Sequence, residues 1–270
     1  MTEGAAEAAA AVLTIADARL KAEAARRMAV DWRAGLLSWP GPPCGLPGRP
    51  ARPARPALVP PREVARRRPG SPQGRLALLH ALAHIELNAI DLACDLIARF
   101  AHVREVLPAA FANDWMRVAD EEGKHFMMLD ARLGELGGGY GDLPAHDGLW
   151  EAAEATSHDL PARLAIVPLV HEARGLDVTP ATITALDRAG DAASARLLEI
   201  IYRDEIGHVA AGSRWFRHVA TVRGEAPEPA YAALVARHHG GRLKGPFNET
   251  AREAAGCLDL TRAAASGIGT

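Results

Sequence analysis

Two short stretches carry the residue types of a metal site. Residues 117–126 read RVADEEGKHF and residues 202–209 read YRDEIGHV. Each holds a glutamate three residues before a histidine, Glu122 with His125 and Glu205 with His208. On a helix, positions i and i+3 lie side by side, so each pair can hold one metal ion from one face. Among 11 histidines roughly one such pair arises by chance, so the pairs alone decide little. A carboxylate-bridged pair of metals also needs one glutamate from each of two further helices, and both are present. Glu86 sits among Leu79, Leu82, Ala83, Ile90 and Ala93, and Glu172 lies in IVPLVHEARGL. An acid inside an apolar stripe is costly unless something compensates its charge.

The chain order is therefore Glu, E-x-x-H, Glu, E-x-x-H. Glu86 and Glu122 are 36 residues apart and Glu172 and Glu205 are 33 apart, each spacing suited to one helical hairpin. Four buried carboxylates repel one another; two divalent cations would cancel their charge, and two neutral imidazoles would complete the ligand set. Oxygen-rich ligation with one nitrogen per metal suits iron or manganese better than zinc. The expected cofactor is two iron ions, or a manganese–iron pair.

Neighbouring residues acquire supporting roles. A metal-bound histidine usually donates its other N–H to a carboxylate, which Asp204 could accept from His125 and Glu121 from His208. Asp120 is expected in solvent, and Tyr202, one turn before Glu205, to line the site. His80 and His84 project roughly 120–160° away from Glu86 and are expected to pack or hydrogen-bond. His171 adjoins Glu172 and so points elsewhere. Trp115, Trp150 and Trp215 read as core or interface residues.

These residues need long helices to position them. No segment alternates with the period of a strand, so the chain reads as all-α, and a four-helix bundle is the simplest packing. An Ala-rich helix is expected over 5–37, within an N-terminal region 1–38. A proline- and arginine-rich arm follows over 39–72, lying on the domain or reaching to a partner. The bundle is expected over 73–223. Its first two helices are 72–101 and 108–136. The third is a helical stretch over 149–175 interrupted at Pro161 and Pro168, and the fourth runs from about Pro180 to Val222 with a break near Gly190. Residues 224–270 form a C-terminal capping extension, in which His238 and His239, being adjacent, cannot share one helix face.

Composition limits the alternatives. With 49% apolar and 24% charged residues the chain is not disordered as a whole. A net charge of −2 supplies no global field towards nucleic acid or an anionic membrane. Three widely spaced cysteines without a C-x-x-C pair argue against a disulfide framework. No apolar run approaches the roughly 20 residues of a membrane helix, and no signal peptide is evident. The expected location is the cytoplasm.

The phrases HALAHIELNAIDLACDL, YGDLPAHDGLWEAA, EARGLDVTP and DEIGHVAAGSRWF resemble the ferritin-like superfamily. Within it they resemble a bacterial family known only as a domain of unknown function, number four hundred fifty-five. The resemblance runs from about Trp39 to Cys257. It implies a ferritin-like fold and a di-iron site with ligand roles for Glu86, Glu122, His125, Glu172, Glu205 and His208.

Three functions follow. The first is a di-iron oxidase or monooxygenase, activating O2 against an unknown substrate in an adjacent apolar pocket, with an electron-donor protein as partner. The substrate would be a small molecule or modified RNA, since a hydroxylase of modified tRNA adenosine is a similar superfamily member. Arg49, Arg52, Arg55, Arg62 and Arg66–Arg68 could then contact phosphates, although the sequence carries no strong nucleic-acid signal. The second is iron handling, as ferroxidase or storage. The third is a non-enzymatic ferritin-like scaffold acting through its arm.

Overall fold

Alanine-rich sequence starts the chain as helix, but its continuation is decided by two polar side chains. Ala5–Leu13 forms α1 and Ala18–Arg33 forms α2. The single helix expected over 5–37 is interrupted because Thr14 donates to Ala11 O and Asp17 accepts the Leu20 N–H at 2.9 Å, restarting the helix with a cap. The computed structural model describes residues 3–39, 41, 45–64, 68–103, 106–239, 243 and 245–258. Among these the chain is all-helical; the only extended pairings are the isolated bridges Gly4 to Ser38 and Leu58 to Ala145.

Contacts divide the chain into two units, one of residues 1–151 with 182–197 and one of 152–181 with 198–270. In the first, α3 (Pro72–Phe100) opens with Ser71 accepting from the Gly74 amide and proline at its first turn. α4 (Ala109–Glu135) follows and ends before Gly137, whose φ of +80° suits glycine. Both match the expected spans. α3 is long and apolar enough in composition to cross a membrane, contrary to the expectation that no such run exists; yet 83% of its apolar 18-residue stretch is buried within the fold.

The arm lies along this unit. The Ala51 amide donates to Leu13 O, and the Ala57–Val59 backbone pairs with Ala145. Arg52 Nη2 donates to Asn88 Oδ1 at 2.7 Å and lies 2.9 Å from Asp91 Oδ2. Arg49 pairs with Asp147. Two of the arginines considered for phosphate contacts are thus engaged by acids of the unit itself, while Arg66 and Arg67 lie outside the described residues.

After α5 (Gly148–Ala155), the second unit contains α6 (Leu160–Ile166), a π-helical segment Val167–Glu172, and the start of α7 (Ala173–Arg188). Pro168 has no N–H and its ring conflicts with the carbonyl four residues back. The chain widens to a π turn there rather than breaking, and Tyr231 Oη donates to Leu169 O at 3.1 Å. Pro180, expected to start a new helix, instead lies inside α7. The carbonyl it leaves without its usual amide is Leu176 O, and Asn248 Nδ2 donates to it at 3.1 Å. The break near Gly190 is present, with Gly190 at φ +76°. α8 (Ala192–Val222), α9 (Pro227–His238) and α10 (Glu249–Ala254) complete the order.

Candidate metal centre

In the first unit, Glu86 of α3 emerges among Leu79, Ala83, Leu87 and Ile90, all 0% exposed. Glu122 and His125 of α4 meet it there. His125 Nδ1 lies 3.2 Å from Glu86 Oε2 and 3.6 Å from Glu122 Oε2. Glu86 is 3% exposed, Glu122 and His125 0%, and one ligand atom of each lies within 4.8 Å of the others. Burial pushes the Glu86 carboxyl well above its ordinary range, and the charge of Glu122 pushes it further; the hydrogen bond with His125 opposes this but does not prevail. Two carboxylates and an imidazole nitrogen converging in a dry interior are the donor set of a hard to borderline cation.

The same turn is pinned from behind. A Cβ on Gly123 would lie 2.9 Å from Ala22 O, so α2 approaches α4 at a residue without a side chain. Asp120, expected in solvent, is instead bound by Arg26 and Arg33 of α2, each at 3.0 Å. Glu121 accepts from Arg117, one turn earlier, at 2.9 Å.

In the second unit, His208 is 0% exposed and its Nδ1 lies 3.7 Å from Glu205 Oε1. Glu205 Oε2 is buried without a hydrogen bond among the described residues. Gly212 is within ~20° of Glu205 and ~40° of His208 around α8. A Cβ there would lie 2.5 Å from Pro168 Cβ, so this face of α8 rests directly on the π segment. Asn248 Nδ2 bridges Leu176 O and Tyr202 Oη. With 168 against 212 and 176 beside 202, the two stretches run antiparallel.

The structure thus brings Glu86, Glu122 and His125 together in one unit; in the other it pairs Glu205 with His208, and Glu172 belongs to the π segment whose Pro168 lies against Gly212 of α8. In both E-x-x-H turns the histidine presents Nδ1 to its own glutamate, at 3.6 and 3.7 Å. The Tyr202 hydroxyl is taken up by Asn248, and Asp204 is half-buried. His80 and His84 hydrogen-bond, as expected. His80 Nε2 accepts the Gly141 amide at 3.0 Å, and His84 bonds Tyr140 Oη and His146 O. The sequence reading missed Gly212 and Asn248, which set the height of the second half-site. Glycine in a helix was the only local signal for the first, and nothing local marked the second.

The chain matches the family described as protein of unknown function (DUF455) over residues 14–260. It belongs to that family. The match takes in α2 as well as the stretch from Trp39 onwards. A protein of Haemophilus influenzae (strain ATCC 51907 / DSM 11121 / KW20 / Rd), described as uncharacterized, is 44% identical over 202 residues, covering 74% of this chain and 70% of that protein. No solved structure matches the chain.

Proposed function

We propose that the two hairpins combine in a ferritin-like four-helix bundle holding two iron ions, or a manganese–iron pair, through Glu86, Glu122, His125, Glu172, Glu205 and His208. The observation that carries this reading is the matched geometry of the two E-x-x-H turns, each with Nδ1 turned to its own glutamate, and at the first a further glutamate, Glu86, 3.2 Å from the histidine. The fit rests on charge: Glu86 and Glu122 are buried against each other, and a divalent cation removes the cost of ionising both. Such a pair of ions supplies redox chemistry with O2.

The protein's own residues have separate tasks. Glu86 and Glu122 hold negative charge in a site closed to water by Leu79, Ile90 and Phe126, each 0% exposed. The histidines supply one nitrogen per ion, with Asp204 and Glu121 as the carboxylates that fix the rings. The reaction class is oxidation or monooxygenation of a small-molecule or modified-RNA substrate, with electrons from a donor protein.

The test is metal analysis after anaerobic iron loading, then absorption on mixing with O2. About two irons per chain with an O2-dependent absorption change is the expected result. Glu122→Ala and His208→Ala should each lower the iron bound; wild-type stoichiometry in either would overturn the ligand assignment. Iron that reacts with O2 and then accumulates as ferric ion would instead favour the ferroxidase reading. Iron indifferent to O2 would favour a scaffold.

A further inference from the structure

α2 runs antiparallel to α4 and is tied to it along most of its length. Arg19 Nε donates to Asp130 Oδ2 at 2.6 Å, and Trp32 Nε1 donates to Asn113 Oδ1 at 2.8 Å. Between these ends, Arg26 Nε donates to Asp120 Oδ1 and Arg33 Nη1 to Asp120 Oδ2, each at 3.0 Å. The ties span the 17 residues from Asn113 to Asp130, about 25 Å of helix. The three arginine side chains are 43% to 68% exposed, and ion pairs of that kind add little stability. What sets two of them apart is their position beside the metal-binding turn.

A Cβ on Gly123 would meet Arg26 Cγ at 2.8 Å as well as Ala22 O at 2.9 Å. The Arg26 stem therefore lies across the residue that follows Glu122, while its guanidinium holds Asp120, two residues before Glu122. Glycine weakens a helix interior; at this position it admits a backbone oxygen, which cannot swing aside as a side-chain tip can. In the same turn of α2, Lys21 Nζ donates to Asp91 Oδ1 of α3 at 2.6 Å. α2 is thus fixed to both helices that carry Glu86, Glu122 and His125. Those helices have reason to separate: one ligand atom of Glu86 and one of Glu122 lie within 4.8 Å of each other. Metal binding requires both carboxylates ionised, and like charges this close in a dry interior repel.

We propose that α2 is the brace that holds the Glu122 turn against this repulsion, with Arg26 as a positioning residue and Gly123 as its seat. The brace keeps Glu122 and His125 close to Glu86 before an ion arrives, so that little ordering accompanies binding. Arg33 supports Arg26 by occupying the second oxygen of Asp120, which fixes that carboxylate from two sides. The inference rests on the metal reading and adds to it a helix that supplies no ligand.

The test titrates cobalt(II) alone into the metal-free, full-length chain and follows affinity and the visible absorption band, with a thermal melt of each metal-free protein. Arg26→Ala should weaken cobalt binding about tenfold, the scale on which groups supporting metal ligands act, and should alter the band. Arg26→Lys, which keeps the charge and most of the stem, should recover part of the loss. Gly123→Ala should weaken binding at least as much as Arg26→Ala; if its melt shows no folded protein, Arg26→Ala decides. Arg19→Ala breaks a tie between the same two helices eight residues beyond Glu122, about 12 Å along α4, and should leave affinity and band unchanged. The proposal is overturned if Arg26→Ala leaves cobalt affinity and band as in wild type, whatever it does to the melt. It is equally overturned if Arg19→Ala weakens binding as much as Arg26→Ala, since the ties would then act only through stability. Both failures leave a wild-type chain that binds cobalt. A wild-type chain that takes up none would instead overturn the metal reading, and this inference with it.

Discussion

The two faces of α3 bury acids in opposite ways. On one face Asp91, 0% exposed, meets Lys21 Nζ at 2.6 Å and Arg52 at 2.9 Å. On the other, Glu86 meets a second acid, Glu122, and a histidine. Burial raises the carboxyl pKa in both places, but at Asp91 the nearby cations oppose it, whereas at Glu86 the next contribution is the charge of Glu122, pushing the same way. Two like charges about 4 Å apart at an effective dielectric near 20 repel by roughly 4 kcal/mol. The clasp at Asp91 contains its own counterions. The acid pair on the other face, with His125, is a group that could hold a metal ion.

Mutations should break this contrast with opposite signs. Asp91→Asn leaves Lys21 and Arg52 buried without their anion and should cost about 3–5 kcal/mol by denaturant unfolding. Adding Lys21→Met should recover part of that loss. If Asp91→Asn is neutral, the clasp is not the electrostatic unit described.

Glu86→Gln should do the reverse in metal-free protein and raise stability, while abolishing metal-dependent stabilisation. The pH dependence has the same origin. Glu86 has a folded pKa above its ordinary value of 4.5, so the folded state binds more protons than the unfolded. Its contribution is fully present below pH ~4.5 and is lost as pH rises through the folded pKa. Metal-free wild type should therefore lose stability over that rise, and Glu86→Gln should flatten the curve. A curve unchanged by Glu86→Gln would place the raised pKa elsewhere.

The smallest effect is expected at His84, which shares the clasp face. Its Nδ1 is 2.8 Å from Tyr140 Oη and its Nε2 3.1 Å from His146 O. Burial, with the charge of Arg52, lowers its pKa to about 3. The ring is therefore neutral, donating from Nε2 to the carbonyl and accepting the phenol at Nδ1. Tyr140→Phe removes one such bond and should cost about 1 kcal/mol, with iron binding unchanged. A drop in bound iron would mean the two faces are coupled.

Much of the candidate site was readable because it is periodic. Glu122 and His125 share a face by spacing alone, and Glu86 stands out as an acid among leucines and alanines. The spans of α3 and α4 followed from Ser71–Pro72, Pro108 and Gly137. What escaped were effects of partners distant in the chain. Asp120 looked solvated because Arg26 and Arg33 are about ninety residues away. Pro180 looked like a helix start because nothing local announces Asn248.

The sequence by itself determined the helical class, the paired E-x-x-H turns and the two further glutamates Glu86 and Glu172, because helix periodicity converts spacing directly into a shared face. Only the tertiary structure decided which buried acids are neutralised from within the chain and which are stacked on one another. It also decided that a proline could stay inside α7 and that the π segment could rest on Gly212. Those outcomes depend on pairings across tens of residues, where burial removes water as an alternative partner and leaves each charge or open carbonyl to whatever the fold brings beside it.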